Sequence, residues 1–498
     1  MKELLEDEYE DYLRSFEAGS YKALRLNPLK AEEAQLLVLL NRHIKVNGRV
    51  PWEPLGYYYN NALPGKNPLH EAGMYYIQEP SAMKPVALMF EEEANDLYVP
   101  GVTEGIRVLD LCAAPGGKST QAAAYMRGRG VLVCNEIIPK RAKILSENIE
   151  RMGVRNAVVL NESPGRLSEV FTDYFDKILV DAPCSGEGMF RKDEKAVLEW
   201  SYDNVIMCAG RQEEILDCAA SMLRPGGTLV YSTCTFSKEE DEECIEGFLK
   251  RHGDYRLIRQ EKLFPHRIKG EGHFVAELER MNTDVIFCMT GDMVHDTDRE
   301  YTGYCAYGAA VGVDIKEYLA ICTDTDRNRN EGRNAKRKGN AERKVFREFC
   351  METLSESGIN GLNGRLEWFG DNLYLMPEGA PGIDGLRVER PGLQLGTFKK
   401  DRFEPAHALA LALTPREASR TVNITLEQAD AYIAGMTLDA GETDRLGDKA
   451  AYVDAGTESA DGLRGWVLVC CEGISLGWGK AVDGIIKNHY PKGLRKRL

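Results

Sequence analysis

The chain of 498 residues is too long for one ordinary core, because domains hold about 150 residues on average, and its length predicts roughly three domains. Its hydrophobic content of 43% and charged content of 28% are ordinary for a folded globular protein. The net charge of −15 argues against a surface coated for nonspecific nucleic-acid binding, although a local basic patch remains compatible with it.

The start of the chain, MKELLEDEYEDYL, is acidic and lacks the basic region, apolar run and cleavage site of a secretory signal. Elsewhere the apolar stretches fall short of the ~20 residues that a membrane-spanning helix needs. The 13 cysteines are scattered without the paired spacings of a zinc site or the density of a disulfide scaffold. We therefore expect a cytoplasmic protein with no membrane contact and no structural metal.

Residues 1–100 mix helical patterns, at 3–16 and 31–40, with turn-rich segments, and we assign them to an N-terminal α+β region. Residues 101–280 alternate short apolar runs with amphipathic stretches, which is typical of a doubly wound, Rossmann-like α/β sheet. Predicted strands are 107–110, 131–134, 157–160, 177–180 and 228–232, and predicted helices include 119–126, 140–152 and 205–223.

The composition changes after about residue 280. Residues 281–344 are polar, and we expect a connector whose basic end, 327–344, is partly disordered. Residues 345–498 should form a C-terminal accessory region that is mostly β with some helix. The apolar segments that predict its strands are 366–375, 386–398 and 466–471.

A glycine-bearing turn, CAAPGGK, follows the first predicted central strand. Ligands of doubly wound sheets bind at the carboxyl ends of the strands, and the glycine pair lets the backbone approach a ligand closely. Glu136 ends the second strand, where a carboxylate commonly accepts hydrogen bonds from ribose hydroxyls, and Ser163 follows the third strand near an adenine edge. The predicted ligand is S-adenosylmethionine. Its predicted contacts are Cys112, Ala113, Ala114, Pro115, Gly116, Gly117, Lys118, Glu136, Ser163 and Asp181.

Two cysteines follow neighbouring predicted strands, Cys184 in DAPCSGEG and Cys234 in STCTFSKEEDE. A thiolate that adds to carbon 6 of a cytosine makes carbon 5 nucleophilic, so that it can take a methyl group, and a second group nearby can help the thiolate leave. Asp181 has a natural role in hydrogen-bonding and protonating ring nitrogen 3. Lys118, if it reaches the site, could favour a thiolate. The spacing alone does not decide which cysteine attacks.

The three segments CAAPGGK, DAPCSGEG and STCTFSKEEDE resemble the signature motifs of the NOL1/NOP2/Sun family of RNA cytosine-5 methyltransferases. The stretches ALRLNPLK, YYIQEPSAM and KGEGHFVAEL extend the resemblance over about residues 20–280. The resemblance implies that Cys234 is the nucleophile and that Cys184 assists product release. Many family members carry an aspartate where Ser163 stands, and Glu162 is the alternative contact to the adenine.

The C-terminal part resembles the bacterial RsmF-like branch of this family, in LRVERPGLQLGTFKKDRFEPAHALALAL and in GWGKAVDGIIKNHYPKGLRKRL. The branch methylates small-subunit ribosomal RNA, and its last part is a PUA-like RNA-binding module. This implies that Lys487, Lys492 and Arg495 lie near RNA phosphates.

We therefore expect methylation of carbon 5 of cytidine in 16S rRNA, free or in the small subunit, by a monomer that does not act on DNA. Two alternatives stay open: a transfer-RNA cytosine-5 methyltransferase, and a non-catalytic rRNA-binding factor of ribosome assembly.

Overall fold

The computed structural model describes residues 1–60, 64–91, 105–282, 313–314, 333–400, 402–445, 458–459 and 462–496. The strands in these residues form four sheets. The largest sheet lies in the middle of the chain, and the other three come from the regions before and after it.

The N-terminal region is a small antiparallel sheet with short helices around it. Its elements are α1 (Lys2–Leu5), α2 (Tyr9–Ser15), β1 (Ala23–Leu26), α3 (Glu33–His43), β2 (Val46–Arg49), β3 (Gly56–Tyr59), α4 (Pro68–Glu71), β4 (Tyr75–Gln78) and α5 (Lys84–Met89). The strand order is β2-β3-β1-β4. The predicted helix at 3–16 is interrupted by a short 3-10 turn, in which Glu8 pairs with Arg267 at 2.7 Å.

The central region is a doubly wound sheet, as predicted. Its elements are β5 (Arg107–Asp110), α6 (Gly117–Met126), β6 (Val131–Asn135), α7 (Pro139–Arg151), β7 (Ala157–Leu160), α8 (Pro164–Ser168), β8 (Phe175–Asp181), α9 (Glu194–Glu199), α10 (Tyr202–Met222), β9 (Leu223–Thr233), α11 (Glu242–Arg251), β10 (Tyr255–Leu263) and β11 (His273–Arg280). Strands β7, β6, β5, β8 and β9 are parallel in that spatial order. The chain therefore reverses its direction of winding between β5 and β8, where ligand crevices form.

The central sheet is buried on both faces, as expected of parallel strands covered by helices. Val108 and Leu132 pack on the side of α6 and α7, whereas Leu109 and Val133 pack on the opposite side with α8 and α10. Helix α7 follows the same logic, since its buried residues Ala142, Leu145 and Ile149 recur three and four positions apart.

Two antiparallel strands, β11 and β10, extend the sheet beyond β9, and the sequence analysis missed both. Most residues of β10 are exposed and four of its nine are charged, so it lacks the apolar run that identified the inner strands. Strand β9 also begins earlier than the predicted residue 228, because Leu223 pairs with Phe175 across an irregularity in the register.

The C-terminal region contains two further sheets. Its elements are β12 (Val313–Asp314), α12 (Arg333–Thr353), α13 (Glu356–Asn360), β13 (Arg365–Phe369), β14 (Asn372–Met376), β15 (Val388–Arg390), β16 (Leu393–Lys399), β17 (Arg402–Pro405), α14 (His407–Ala412), β18 (Thr421–Ile424), α15 (Leu426–Ile433), β19 (Leu438–Asp439), β20 (Asp444–Arg445), β21 (Glu458–Ser459), β22 (Gly465–Cys471), β23 (Ile474–Val482) and β24 (Ile485–Asn488). The strand orders are β12-β13-β14-β16-β17 and β19-β24-β23-β22-β18-β20-β21.

Strand β15 leaves its own region and pairs antiparallel with β7, at the edge of the central sheet. It splits the predicted apolar segment 386–398, because Pro391 and Gly392 separate β15 from β16.

The expected connector, 281–344, lies largely outside the described residues. Helix α12 begins at Arg333, within the basic end for which partial disorder was expected. The later turns of α12 pack Phe346, Phe349 and Cys350 into the C-terminal core, and this burial stabilises the helix.

Candidate active site

The two predicted cysteines lie together at the carboxyl ends of neighbouring strands. Strands β8 and β9 are paired in parallel with Asp181 opposite Ser232, so the loops that follow them leave the sheet side by side. The sulfur atoms of Cys184 and Cys234 are 3.0 Å apart, and the backbone N–H of Cys234 donates to Cys184 Sγ at 3.3 Å. The hydrogen bond with Cys234, together with burial, raises the pKa of Cys184 well above its usual value. Cys184 therefore stays a thiol at neutral pH.

Buried polar side chains fix the loops that carry the two thiols. Ser185 Oγ and Thr235 Oγ1, from the two loops, lie 2.9 Å apart. Glu240 Oε2 accepts hydrogen bonds from the Ser185 N–H at 3.0 Å and from Gln212 Nε2 at 2.8 Å. These contacts tie the DAPCSG loop to the STCTFSKEEDE loop and to helix α10.

Asp241 is bonded to both ends of the segment that carries Cys234 and to β10. Its Oδ1 accepts from Thr233 Oγ1 at 2.7 Å, and its Oδ2 lies 3.0 Å from Lys262 Nζ. Burial raises the pKa of Asp241 to about 8 even though the Lys262 charge opposes that shift. The sequence analysis missed both Glu240 and Asp241, although their place in the motif that carries Cys234 could have indicated them.

The buried Lys118 and the partly buried Asp181 form an ion pair at the same edge of the sheet. Lys118 Nζ lies 2.9 Å from Asp181 Oδ2, and Ser232 Oγ donates to Asp181 Oδ1 at 2.8 Å. Burial alone would raise the pKa of Asp181, but the Lys118 ammonium outweighs it and holds this pKa below its usual value. Burial would also lower the pKa of Lys118, but the Asp181 charge raises it.

The ion pair assigns the hydrogen-bonding roles of its two members. The lowered pKa favours the ionised form of Asp181, which accepts hydrogen bonds and does not donate them. Lys118 is the donor of the pair. The charge of a Cys234 thiolate would raise the pKa of Lys118 further, because opposite charges attract.

His273 is a further residue of this cluster that sequence reasoning missed. It begins β11, is 4% exposed, and its Nε2 lies 3.4 Å from Lys118 Nζ and 4.0 Å from Asp181 Oδ1. Burial, followed by the Lys118 charge, lowers the pKa of His273 to about 4. Its position in the motif KGEGHFVAEL could have indicated from the sequence that His273 belongs to the site.

A cleft of about 200 Å³ opens beside this cluster, between the central sheet and the N-terminal region. Asp110 Oδ2 accepts from Ser119 Oγ at 2.6 Å, whereas its buried Oδ1 has no hydrogen-bond partner within the described part of the chain. Burial raises the pKa of Asp110 to about 7. The lining residues are Tyr76, Ile77, Gln78, Glu79, Ala82, Asp110, Cys112, Ala113, Ala114, Pro115, Gly117, Lys118 and Asp181.

The glycine pair shapes the wall of the cleft. Gly116 has a φ of 109°, a left-handed conformation that L side chains rarely adopt, and it caps the start of α6. A Cβ atom on Gly117 would lie 3.3 Å from the Tyr76 ring of the N-terminal region. Glycine at these positions therefore lets the turn start the helix and lie close against β4.

Three predicted contacts, Gly116, Glu136 and Ser163, are not among the residues that line the cleft. The Glu136 carboxylate accepts from the Ile138 N–H at 2.9 Å and lies 3.2 Å from Arg141 NH1, while Arg141 NH2 donates to the Ala114 carbonyl at 2.7 Å. Ser163 Oγ accepts from the backbone N–H of Arg166 at 3.2 Å and caps α8. The side chains of Glu136 and Ser163 are therefore already bonded to other groups of the protein.

Glu162, the alternative to Ser163, is also engaged. Its Oε1 accepts from the Arg387 N–H at 2.7 Å, and its Oε2 lies 2.9 Å from Arg387 NH2. Arg387 directly precedes β15, so Glu162 joins the C-terminal region to the central sheet.

Within the described residues, no helix is long and apolar enough to cross a membrane. The same part of the chain contains no group of three or more His, Cys, Asp or Glu side chains that could hold a metal ion.

Family profiles match four successive segments of the chain. The 16S rRNA methyltransferase RsmB/F profile matches residues 100–279, and the N-terminal domain of 16S rRNA methyltransferase RsmF matches residues 1–80. The RsmF rRNA methyltransferase first C-terminal domain matches residues 348–413, and the methyltransferase RsmF PUA domain matches residues 419–496.

Individual relatives match most of this chain over most of their own lengths. Ribosomal RNA small subunit methyltransferase F of Vibrio parahaemolyticus is 30% identical over 97% of this chain and 93% of its own length. The protein of the same name from Erwinia tasmaniensis is 28% identical over 99% and 95%. Among solved structures, the crystal structure of PH0851 is 28% identical with a TM-score of 0.51, and covers 56% of this chain and 64% of its own.

The doubly wound sheet, with its glycine turn and paired cysteines at one crevice, defines a Rossmann-like methyltransferase, and the chain is an enzyme of that class. More narrowly, the chain belongs to the ribosomal RNA small subunit methyltransferase F family.

Proposed function

We propose that this enzyme methylates carbon 5 of cytidine in 16S rRNA through a covalent cysteine adduct. The observation that carries the proposal is the 3.0 Å approach of Cys184 and Cys234 next to the Lys118–Asp181 pair. The names of the full-length relatives support a small-subunit rRNA substrate over a transfer RNA or a purely structural role.

In the proposed reaction, Cys234 Sγ forms a bond to carbon 6, and electron density moves to carbon 5. Lys118 donates a hydrogen bond to a ring acceptor, which stabilises that charge, and Asp181 accepts from the exocyclic amine. The target cytidine must first leave any helix it occupies, at a cost of a few kcal/mol.

Release reverses the addition after carbon 5 has been methylated. A proton passes from carbon 5 to solvent water, the double bond between carbons 5 and 6 re-forms, and the sulfur–carbon bond breaks with its electron pair going to Cys234 Sγ. Cys184 stays a thiol, so its S–H can donate a hydrogen bond to the departing sulfur. This is the proposed role of Cys184 in product release.

The cleft fits S-adenosylmethionine, which supplies the methyl group when bound. The unpartnered Asp110 Oδ1 is a buried acceptor suited to the ammonium of an amino-acid moiety. The turn Cys112–Lys118 presents backbone at the same cleft. Glu136 and Ser163 remain proposed contacts to the ribose and the adenine, and Glu162 remains the alternative to Ser163.

Contact with RNA is proposed for a row of side chains on the C-terminal sheet. Trp466 of β22 lies directly opposite Lys480 of β23, which lies opposite Lys487 of β24. Like charges directly opposite each other on neighbouring strands repel and destabilise a sheet. A phosphate bound between Lys480 and Lys487 would remove this repulsion. Trp466, which also contacts the His489 ring at 4.5 Å, adds an aromatic surface for a base.

The other residues expected near phosphates differ from this row. Arg495 bonds to the Tyr490 carbonyl and to Asn488 Oδ1, at 3.3 Å each, and therefore also fixes the end of the chain. Lys492 is exposed in the short 3-10 turn before it and remains a proposed contact.

We further propose a division of labour along the chain. Residues 1–100 position the substrate, 101–280 carry out methyl transfer, 281–344 connect, and 345–498 hold the RNA and end in the PUA-like module. The enzyme would act as a monomer in the cytoplasm, where 16S rRNA is made, with RNA and not DNA as its partner.

Bisulfite sequencing of 16S rRNA and transfer RNA from cells with and without this protein tests the substrate. We expect 16S cytidine protection to disappear with the protein, to return with the wild type, and to stay absent with Cys234→Ala. Cys218→Ala, at a thiol outside the crevice, should restore protection and serves as the matched control. Loss of protection only in transfer RNA, or in neither RNA, would overturn the proposed substrate.

A further inference from the structure

A chain of buried polar side chains links the N-terminal region to the Lys118–Asp181 pair. From Lys118 it continues to His273 Nε2 at 3.4 Å, then from His273 Nδ1 to Ser81 Oγ at 3.3 Å, and from Ser81 to the Glu79 carboxylate. Glu79 and Ser81 lie in the QEPSAM segment after β4, whereas His273 begins β11. The chain therefore joins three separate parts of the fold at the active site.

The direction of every hydrogen bond in this chain is fixed by its two ends. A lysine ammonium can only donate, so His273 Nε2 must accept and the ring proton must sit on Nδ1. Nδ1–H then donates to Ser81 Oγ, and the Ser81 hydroxyl donates to Glu79, which as a carboxylate can only accept.

Glu79 is itself held rigidly at the far end. Its Oε1 accepts from the backbone N–H of Ser81 at 3.0 Å and of Glu271 at 2.8 Å, and its Oε2 accepts from the Ala82 N–H at 2.8 Å. A fixed carboxylate therefore orients Ser81, and Ser81 orients the imidazole.

We propose that His273, as the neutral tautomer protonated on Nδ1, is a positioning residue that orients the Lys118 ammonium for catalysis. Asp181 and His273 then occupy two of the three ammonium N–H groups, and the third remains for the substrate ring. The assignment rests on the proposed function, because that ring is the target cytosine. The charged groups around His273 are Glu79, Lys118 and Asp181.

A direct role of His273 as the base that removes the carbon-5 proton fits the geometry less well. Both of its ring nitrogens are already within hydrogen-bonding distance of protein groups, so neither is left for a substrate proton. Its low pKa also makes it a weak base at neutral pH.

The tautomer can be measured without any substrate. The chain has 8 histidines, and ¹⁵N-histidine NMR of the full-length protein, assigned by comparison with His273→Gln, reports which nitrogen carries the proton. We expect His273 to be protonated on Nδ1 at pH 7, and Ser81→Ala to shift the population toward Nε2–H. An Nε2–H tautomer in the wild type would overturn the proposal.

Kinetics on 16S rRNA test the consequence for the reaction. Glutamine can place its amide oxygen near the Nε2 position and accept from Lys118, whereas phenylalanine cannot. We expect His273→Phe to lower kcat about 10- to 100-fold, the range for losing a hydrogen bond to a charged group, with KM for RNA little changed. His273→Gln should retain activity within about threefold of the wild type.

The pH profile separates positioning from mere packing. Phenylalanine leaves the buried Lys118 ammonium without an acceptor on that side, which lowers the pKa of Lys118. The alkaline limb of kcat/KM should therefore move to lower pH in His273→Phe. In His273→Gln it should return to the wild-type position. His407→Phe, at a partly buried histidine of the C-terminal region that packs against Tyr490, is the control for loss of an imidazole and should leave the profile unchanged.

Equal activity of the Phe and Gln variants would contradict the positioning role. If His273→Phe fails to fold, Ser81→Ala provides the test, with a smaller loss of kcat in the same direction. A wild-type protein with the Nδ1–H tautomer but no methyl transfer to 16S rRNA would refute the proposed substrate and leave the His273–Lys118 contact standing.

Discussion

The regions before and after the central sheet attach to it in different ways. The N-terminal region reaches the proposed reaction centre, because Glu79 and Ser81 are linked through His273 to the Lys118–Asp181 pair. The C-terminal region holds the opposite edge of the sheet through arginine–glutamate pairs. These pairs are Arg387–Glu162 at 2.9 Å, Arg390–Glu150 at 3.0 Å and Arg155–Glu417 at 2.6 Å.

The difference suggests that the two regions control different steps. Changes on the N-terminal side should alter the chemistry, and changes on the C-terminal side should alter RNA capture or stability while leaving the chemical step alone. The two regions also share a hydrophobic cluster, in which Leu24 and Leu40 pack with Val422 and Tyr432, so each variant needs a folding control.

The largest effect is expected at the reaction centre. Lys118→Met keeps the length of the side chain but removes the ammonium, so the partly buried Asp181 carboxylate loses its cationic partner and its pKa can rise. We expect methyl transfer to 16S rRNA to fall by about 10³-fold. Lys177→Met, on strand β8 but away from the crevice, is the control in the same assay. More than a tenth of wild-type activity in Lys118→Met would contradict the role of the pair.

Asp110 offers a test of the cleft through stability. Its folded-state pKa of about 7 lies above the unperturbed 3.8, so between these values the folded protein keeps a proton that the unfolded chain loses, and stability falls as the pH rises. Asp110→Asn removes this decrease of stability with rising pH. The unfolding free energy of the variant relative to the wild type should therefore rise by up to about 1.4 kcal/mol per pH unit from pH 4 to 7.

Urea unfolding across this range measures the effect, with the exposed Asp203→Asn as the control that should show no trend. A pH-independent difference for Asp110→Asn would mean that Asp110 is ionised in the free protein.

A smaller effect, confined to RNA binding, is expected at the C-terminal row. Lys480→Gln combined with Lys487→Gln should weaken RNA affinity about tenfold at moderate salt and lower the slope of log affinity against log salt by about 2, with kcat unchanged. Arg256→Gln with Arg259→Gln removes two charges that neighbouring glutamates already pair, and should change little. A fall in kcat in the Lys480 and Lys487 variant would contradict the claim that the C-terminal region controls RNA capture and not the chemical step.

The smallest effect is expected where β15 joins the sheet. Arg387 is 62% exposed, so Arg387→Ala should lower the unfolding free energy only slightly, because exposed ion pairs contribute little and the backbone bond of residue 387 to Glu162 remains. Arg387→Lys should cost less. Methyl transfer within twofold of the wild type would agree with a role in stability, and a tenfold loss would place this contact in the reaction.

The sequence predicted those parts of the site that depend on strand order. Alternating apolar and amphipathic segments indicated five parallel strands, and the rule that ligands meet strand ends brought Cys184 and Cys234 together. The sequence did not predict β10, which lacks an apolar run, or β11, which pairs antiparallel beyond the five predicted strands. His273, at the start of β11, was missed with them. The partners of Glu136 and Glu162 were also missed, because Arg141 and Arg387 reach them only once the chain has folded.

The central claim is that Cys234 attacks and Cys184 releases, and covalent trapping in cells tests it most directly. Cys184→Ala protein and Cys184→Ala/Cys234→Ala protein would be purified under denaturing conditions, and any attached RNA sequenced. The account predicts an adduct in the single variant that maps to a 16S cytidine, and none in the double variant. An adduct that persists without Cys234, or no adduct in either protein, would contradict the assigned roles.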